Sequence, residues 1–163
     1  MAVGLPVDPR CTFASFVVGP ANRLAYGAAR AAAEAPGTTY NPLFLYAGPG
    51  LGKTHLLMAI ANEIRETQPE HAVVYTTLEG WWRDLQADPA AARTYEAATV
   101  CLVDDLQFLS TRPEAHAAFF DLLDRHLTAG HQVVLACDRP PMEMDHVDGR
   151  LVSRFSGGLV VDI

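Results

Sequence analysis

The sequence predicts an open α/β fold: a parallel sheet of five strands with helices on both faces. Three observations carry this reading. Short apolar runs recur along the chain, and longer stretches of helical periodicity separate them. The runs are almost continuously apolar rather than alternating, as in strands covered on both sides. Half of the 163 residues are hydrophobic and 19% are charged, enough to bury the core of one domain over residues 1–163.

Each element can be justified in turn. Asn22–Ala35 is alanine-rich and stops at Pro36-Gly37, which predicts a helix. Leu43–Ala47 (LFLYA) is the first strand. Thr54–Gln68 places Leu56, Leu57, Ile60, Ala61 and Ile64 at helical spacing. Ala72–Thr76 (AVVYT) is the second strand, and Glu79–Ala98 reads as one or two short helices broken near Asp88-Pro89. Val100–Val103 (VCLV) is the third strand. Pro113–Ala129 has a proline in its first turn, turns Phe119, Phe120, Leu122, Leu123 and Leu127 inward, and ends at Gly130. Gln132–Ala136 (QVVLA) and Leu159–Val161 (LVV) complete the sheet. There is no internal repeat and no low-complexity linker.

Composition excludes several classes. The longest apolar runs are far too short to span a bilayer, and residues 1–20 lack the basic start and apolar stretch of a secretory signal. Cys11, Cys101 and Cys137 are odd in number and widely spaced, so they are expected to be buried or inert thiols in a reducing cytoplasm. The six histidines are scattered and form no ligand pattern with the cysteines. A formal charge of −7 argues against a broad duplex-binding face, while a local path for a single strand stays open.

The chain contains 12 Lys plus Arg, of which eleven are arginine; Lys53 is the single lysine. It lies in YAGPGLGKTHLL, between the LFLYA strand and the Thr54–Gln68 helix. That strand–loop–helix context is what a phosphate-binding loop requires. Gly48, Gly50 and Gly52 let backbone N–H groups face an anion, and the helix N-terminus adds a partial positive charge. Lys53 would lie along the β- and γ-phosphates and Thr54 would offer its hydroxyl to Mg²⁺. The strict pattern wants glycine at Ala47; alanine is the smallest substitute, and the position closes the strand.

Two further strands end in acids. VCLVDD places Asp104 and Asp105 at the end of a buried strand, where two carboxylates are costly unless a cation or hydrogen bonds compensate. Asp104 is the metal-side candidate and Asp105 is placed to polarise an attacking water. QVVLA ends in Cys137-Asp138-Arg139, so Asp138 could orient that water from the γ-phosphate side. An Asx-type turn before Pro140-Pro141 is the competing role for Asp138.

With these residues in place, the chain resembles the AAA+ ATPase domain of the bacterial replication initiator DnaA family, from about Cys11 to Ile163. The segments that carry the resemblance are TFASFVVGPANRLAYGAA, NPLFLYAGPGLGKTHLL, CLVDDLQFL, AAFFDLLDRHL, VVLACDRPP and GRLVSRF. The resemblance implies a P-loop NTPase core with strand order 5-1-4-3-2. It makes Lys53 and Thr54 the Walker A pair, Asp104 and Asp105 the Walker B pair, and Asp138 the sensor 1 position. Gly48, Pro49, Gly50, Leu51, Gly52 and His55 fall within or beside the nucleotide loop, and Val17, Val18 and Asn22 fall where the family approaches adenine and ribose. Arg154 matches an arginine finger that reaches a neighbouring subunit's γ-phosphate, and Arg150 matches a second interface arginine. The implied ligands are ATP or ADP with Mg²⁺, and the implied partners are further AAA+ subunits.

Three departures shape the functional expectation. The chain stops before the family's helical lid, so no lid arginine is expected to sense nucleotide. No duplex-DNA-binding domain follows, so this polypeptide is not expected to recognise an origin box. The segment Glu79–Ala98 is shorter than the family's initiator-specific insertion; ARTYEAA offers only Arg93, and Glu96 brings the opposite sign. Trp81 and Trp82 could stack on bases, but adjacent helical positions face different ways, so one is expected to pack inward. The reading is an ATP-binding, slowly hydrolysing module that self-assembles through Arg154 and acts in replication initiation, with single-stranded DNA as a further ligand. The alternative is a related regulator whose nucleotide state controls protein contacts without DNA. A small-molecule kinase would need a mobile arginine lid, which the sequence lacks.

Overall fold

The computed structural model describes residues 3–163. Five parallel strands form one sheet: β1 (Leu43–Tyr46), β2 (Val73–Thr77), β3 (Val100–Asp104), β4 (Gln132–Cys137) and β5 (Leu159–Asp162), in the order β2-β3-β4-β1-β5. Read from the other edge this is 5-1-4-3-2, the order the resemblance implies. In the central pairing Leu43 stands beside Val134 and Tyr46 beside Cys137.

Strand periodicity divides the core in two. Leu43, Leu45, Leu102, Val134 and Ala136 face one layer, packed under α1 (Arg23–Glu34) and α2 (Lys53–Thr67). Phe44, Cys101, Val103, Val133 and Leu135 face the other. That layer is covered by α3 (Leu78–Ala87), α4 (Ala91–Ala97), α5 (His116–Thr128) and α6 (Gly149–Phe155). Both faces are buried, which is why the strands read as unbroken apolar runs. Five alanines of α1 are buried, so this helix lies close against its neighbours.

The Glu79–Ala98 segment is two helices broken at Asp88-Pro89, as expected. Trp81 is buried against Phe119, ring centroids 5.1 Å apart, while Trp82 is half-buried beside it. Trp81 is therefore part of the core and offers no face to a base.

Elsewhere the structure corrects the sequence reading. Pro113 opens a 3-10 turn (Pro113–Ala115), and α5 begins only at His116. Phe120 and Leu127 are only partly buried; the guanidinium groups of Arg150 and Arg154 cover the Phe120 ring at 4.7 and 5.4 Å. A 3-10 turn over Leu106–Thr111 and the helix α6 lie where no element was expected. α6 is started by Asp148, whose Oδ1 accepts from the backbone N–H of Arg150 at 2.8 Å. Cys101 and Cys137 are buried, and burial pushes their thiols up to about 12 and about 11; Cys11 is half-buried. Among the described residues, no helix is long and apolar enough to cross a membrane.

Candidate nucleotide site

The carboxyl ends of β1, β3 and β4 carry the predicted loop and acids to one edge of the sheet. This is where ligands bind in open α/β folds. The loop after β1 turns through Gly50 and Gly52, with φ of 77° and 103°, conformations that favour glycine. A Cβ on Gly50 would meet no atom within 4 Å, whereas one on Gly52 would come within 2.7 Å of the Phe16 ring. Gly48 is not left-handed, so the curl comes from the other two glycines.

Gly52 is the N-cap of α2 and has no side chain to cap it, and the first turn of α2 holds no acidic residue. The first N–H groups of the helix are therefore left to an external acceptor, with the helix dipole behind them. Lys53 Nζ donates to the carbonyls of Ala47 at 2.6 Å and Gly48 at 3.1 Å, which folds the ammonium over the mouth of the loop.

Asp104 is 1% exposed, and both its carboxylate oxygens are engaged. Thr54 Oγ1 donates to Oδ2 at 2.5 Å and the Tyr75 phenol donates to the same oxygen at 3.2 Å. The backbone N–H of Asp105 donates to Oδ1 at 2.9 Å. Three donors offset much of the cost of burying this charge. Burial and the Asp104 charge push the Tyr75 phenol far above its ordinary range, so it stays a donor. Thr54 and Asp104, a hydroxyl and a carboxylate in contact, form an all-oxygen donor pair that fits a hard cation such as Mg²⁺.

Asp105, the next residue, is only half-buried, so the cost of burying an acid falls mainly on Asp104. Asp105 has a φ of 54°, left-handed for a residue with a side chain, and such strain tends to persist at functional sites. Burial, then the Asp104 charge, raises its carboxyl above the usual range; Gln107 and Lys53 oppose this.

Asp138 follows β4 and is held in a fork by Arg139, with Nε at 2.8 Å and Nη2 at 3.2 Å. That hydrogen bonding holds its carboxyl below the usual range, assisted by the Lys53 charge. Lys53 thus acts electrostatically on both Asp105 and Asp138.

The N-terminal segment closes one side. Asn22 Nδ2 donates to the Val17 carbonyl at 3.0 Å and its Oδ1 accepts from Gly19 N–H at 2.8 Å, holding a tight loop. Val17 is 84% exposed and Val18 and Leu51 are exposed nearby in sequence to the two loops, apolar side chains that a flat base could cover. His55 turns away from the phosphate loop, its Nε2 lying 2.8 Å from the Thr12 carbonyl and 3.2 Å from Ser15 Oγ, with its ring edge-on to Phe16. Its side chain ties the N-terminal segment to α2, leaving only its backbone to the loop. Pro49 is exposed at the loop tip.

Arg154 is not brought to this site. It lies in the last turn of α6, which runs back to the amino ends of the strands, and it pairs with Asp124 at 2.9 Å. It lines an open cleft of about 360 Å³ with Asn41, Pro42, Ser153 and Gly157. Arg150 pairs with Asp148 at 3.3 Å. An arginine at that end cannot serve the phosphate loop of its own chain.

Sequence reasoning missed Tyr75 and Phe16. A phenol inside a buried strand needs a hydrogen-bond partner, which is the signal that could have pointed Tyr75 toward an acid on the neighbouring strand.

Comparison with known proteins agrees with this fold. The family model described as bacterial DnaA ATPase domain matches residues 7–162. The chromosomal replication initiator protein DnaA of Chloroflexus aggregans is 42% identical over 163 residues, covering 96% of this chain and 34% of that protein. DnaA of Gloeothece citriformis is also 42% identical, covering 98% of this chain and 36% of its own length. Among solved structures, domain III of Thermotoga maritima DnaA superposes with a TM-score of 0.92 at 38% identity, over 98% of this chain and 69% of that one. A replication initiator DnaA bound to AMPPCP and single-stranded DNA gives 0.91 at 36% identity, over 96% and 50%. The chain spans about a third of the length of the curated relatives it matches. A family match over nearly the whole chain, on a sheet of the order the motifs imply, has one meaning: this chain belongs to the bacterial DnaA ATPase domain family.

Proposed function

We propose that this domain binds ATP with Mg²⁺ at the Gly50–Gly52 loop, hydrolyses it slowly, and acts in the cytoplasm in replication initiation. The observation that carries the reading is the contact between Thr54 and the buried Asp104 directly beside Lys53 and the uncapped start of α2. Backbone N–H groups of the loop and α2 receive the phosphates, and Lys53 exchanges its two carbonyl partners for phosphate oxygens. Thr54 and Asp104 would hold Mg²⁺, which when bound neutralises charge between the terminal phosphates. Asp105 accepts a proton from the attacking water and Asp138 helps orient it. Val17, Val18 and Leu51 cover the base.

Hydrolysis is slow in a lone chain because Arg154 stands at the other end of the sheet. Self-assembly would present it to a neighbour's nucleotide, and such arginines contribute about 10³–10⁵ in rate. The AMPPCP-bound and single-stranded-DNA-bound relative supports both nucleotide and single-strand binding as activities to test here. Titration of a fluorescent ATP analogue into the wild-type domain should saturate, and Lys53→Ala should abolish binding. An unchanged affinity in Lys53→Ala would refute the loop assignment.

The regulator reading, with protein contacts in place of DNA, is favoured by the burial of Trp81 and the charge of −7. Anisotropy of a labelled single-stranded oligonucleotide in ATP and in ADP separates the two. Binding in ATP alone supports the initiator role; no binding in either, with ATP affinity intact, supports the regulator.

A further inference from the structure

Gln107 carries the one buried side-chain oxygen or nitrogen, among the described residues, that has no hydrogen-bond partner: its Oε1. The residue sits in the 3-10 turn after β3, between Leu106 and Leu109, both fully buried, which hold the turn against the core. Its Nε2 does have a partner, the Oδ1 of Asp105 at 3.4 Å. The reverse amide orientation would set the carbonyl oxygen against that carboxylate, so this orientation is the one chemistry allows.

A half-satisfied amide is an expensive choice for a position that a methionine or leucine could fill with hydrocarbon. Among the described residues, the only side chain that Gln107 bonds is Asp105, and the Asp105 carboxylate accepts from no other donor. We propose that Gln107 is a positioning residue for hydrolysis, aiming the Asp105 carboxylate at the water that attacks the nucleotide. The inference rests on the proposed ATPase function. The separation of 3.4 Å is long, as such contacts often are before substrate arrives.

The test compares wild type with Gln107→Met and Gln107→Leu, two uncharged side chains of similar size, so that at least one variant keeps the packing. Nucleotide affinity should stay within about twofold of wild type, while turnover falls about tenfold, the loss expected when one oriented contact is removed from the transition state alone. Parallel losses in affinity and turnover, or no loss of turnover, would overturn the proposal. A second readout needs no activity. The side-chain amide protons of Gln107, observed by NMR in the nucleotide-free protein, should be displaced toward hydrogen-bonded positions and should revert in Asp105→Ala. Amide signals that ignore Asp105→Ala would refute the contact. If the signals respond but the wild type neither binds nor hydrolyses ATP, the contact stands, and the proposed function and the hydrolytic role fail together.

Discussion

Replacing Gly50 and Gly52 by alanine separates what the loop needs for folding from what it needs for ligand. Both positions have positive φ, so each alanine costs about 1–2 kcal/mol in a conformation that disfavours a Cβ. At Gly50 the new methyl meets nothing within 4 Å, and that is the whole cost. At Gly52 it lies 2.7 Å from Phe16 Cε2 and 3.3 Å from Cζ, inside contact distance. Phe16 stacks on Tyr26 at 5.8 Å and packs edge-on to His55, so the ring cannot move alone. Overpacking of this kind adds about 1–3 kcal/mol, which brings Gly52→Ala to about 2–5 kcal/mol. For a domain of this size each kcal/mol lowers Tm by about 2–4 °C. Urea and thermal unfolding should therefore rank Gly52→Ala clearly below Gly50→Ala. Titration with a fluorescent ATP analogue should show the converse for Gly50→Ala: modest destabilisation with a large loss of affinity, because its methyl enters space that is free of protein. Equal unfolding midpoints would refute the Phe16 argument. Full nucleotide affinity in Gly50→Ala would show that the phosphates do not occupy that space.

Other perturbations follow the same logic. Tyr75→Phe removes one of three donors to the buried Asp104 and should destabilise by about 1–3 kcal/mol in urea titrations; no change would mean Asp104 does not depend on that bond. Arg154→Ala should spare ATP binding and shift stability by no more than about 2 kcal/mol, since its pair with Asp124 is half-exposed and its other contact is the cover over Phe120, yet abolish any ATPase that rises with protein concentration. Buried His126 lies 2.9 Å from the Tyr95 carbonyl and 3.0 Å from His131 Nδ1. If Nε2 donates to that carbonyl, Nδ1 is left to accept, and a second proton has no place. Burial lowers its proton affinity in the fold below the ordinary 6.5, so the unfolded chain binds more protons there. The His126 contribution to stability should be flat above that pH and decline as pH falls below it, so the acid-side decline should be reduced in His126→Leu; an identical slope in the variant would assign the decline to other groups.

Much of this protein is legible in its sequence. The five strands, the break at Asp88-Pro89 and the phosphate loop each follow from local rules: continuous apolar runs, a helix-breaking proline, and glycine where the backbone turns left-handed. The 3-10 turn after β3 was not legible, because it depends on Asp105 adopting a left-handed backbone that its side chain gives no reason to expect. Nor was the fate of Phe120. A helical position with an aromatic side chain reads as core, and only the packing of α6 reveals that two arginines cover it.

The sequence by itself determined the fold class, the strand boundaries to within a residue or two, and the choice of Lys53, Thr54 and Asp104 as candidate site residues, because each is encoded in a contiguous stretch. Tertiary structure alone decided which of them meet. It set Thr54 against Asp104 across fifty positions, gave that carboxylate Tyr75 from the neighbouring strand, turned His55 away to the N-terminal segment, and carried Arg154 to the far end of the sheet. Hydrogen bonds between residues distant in sequence depend on strand order and register, and these are settled when the two faces of the sheet are buried together.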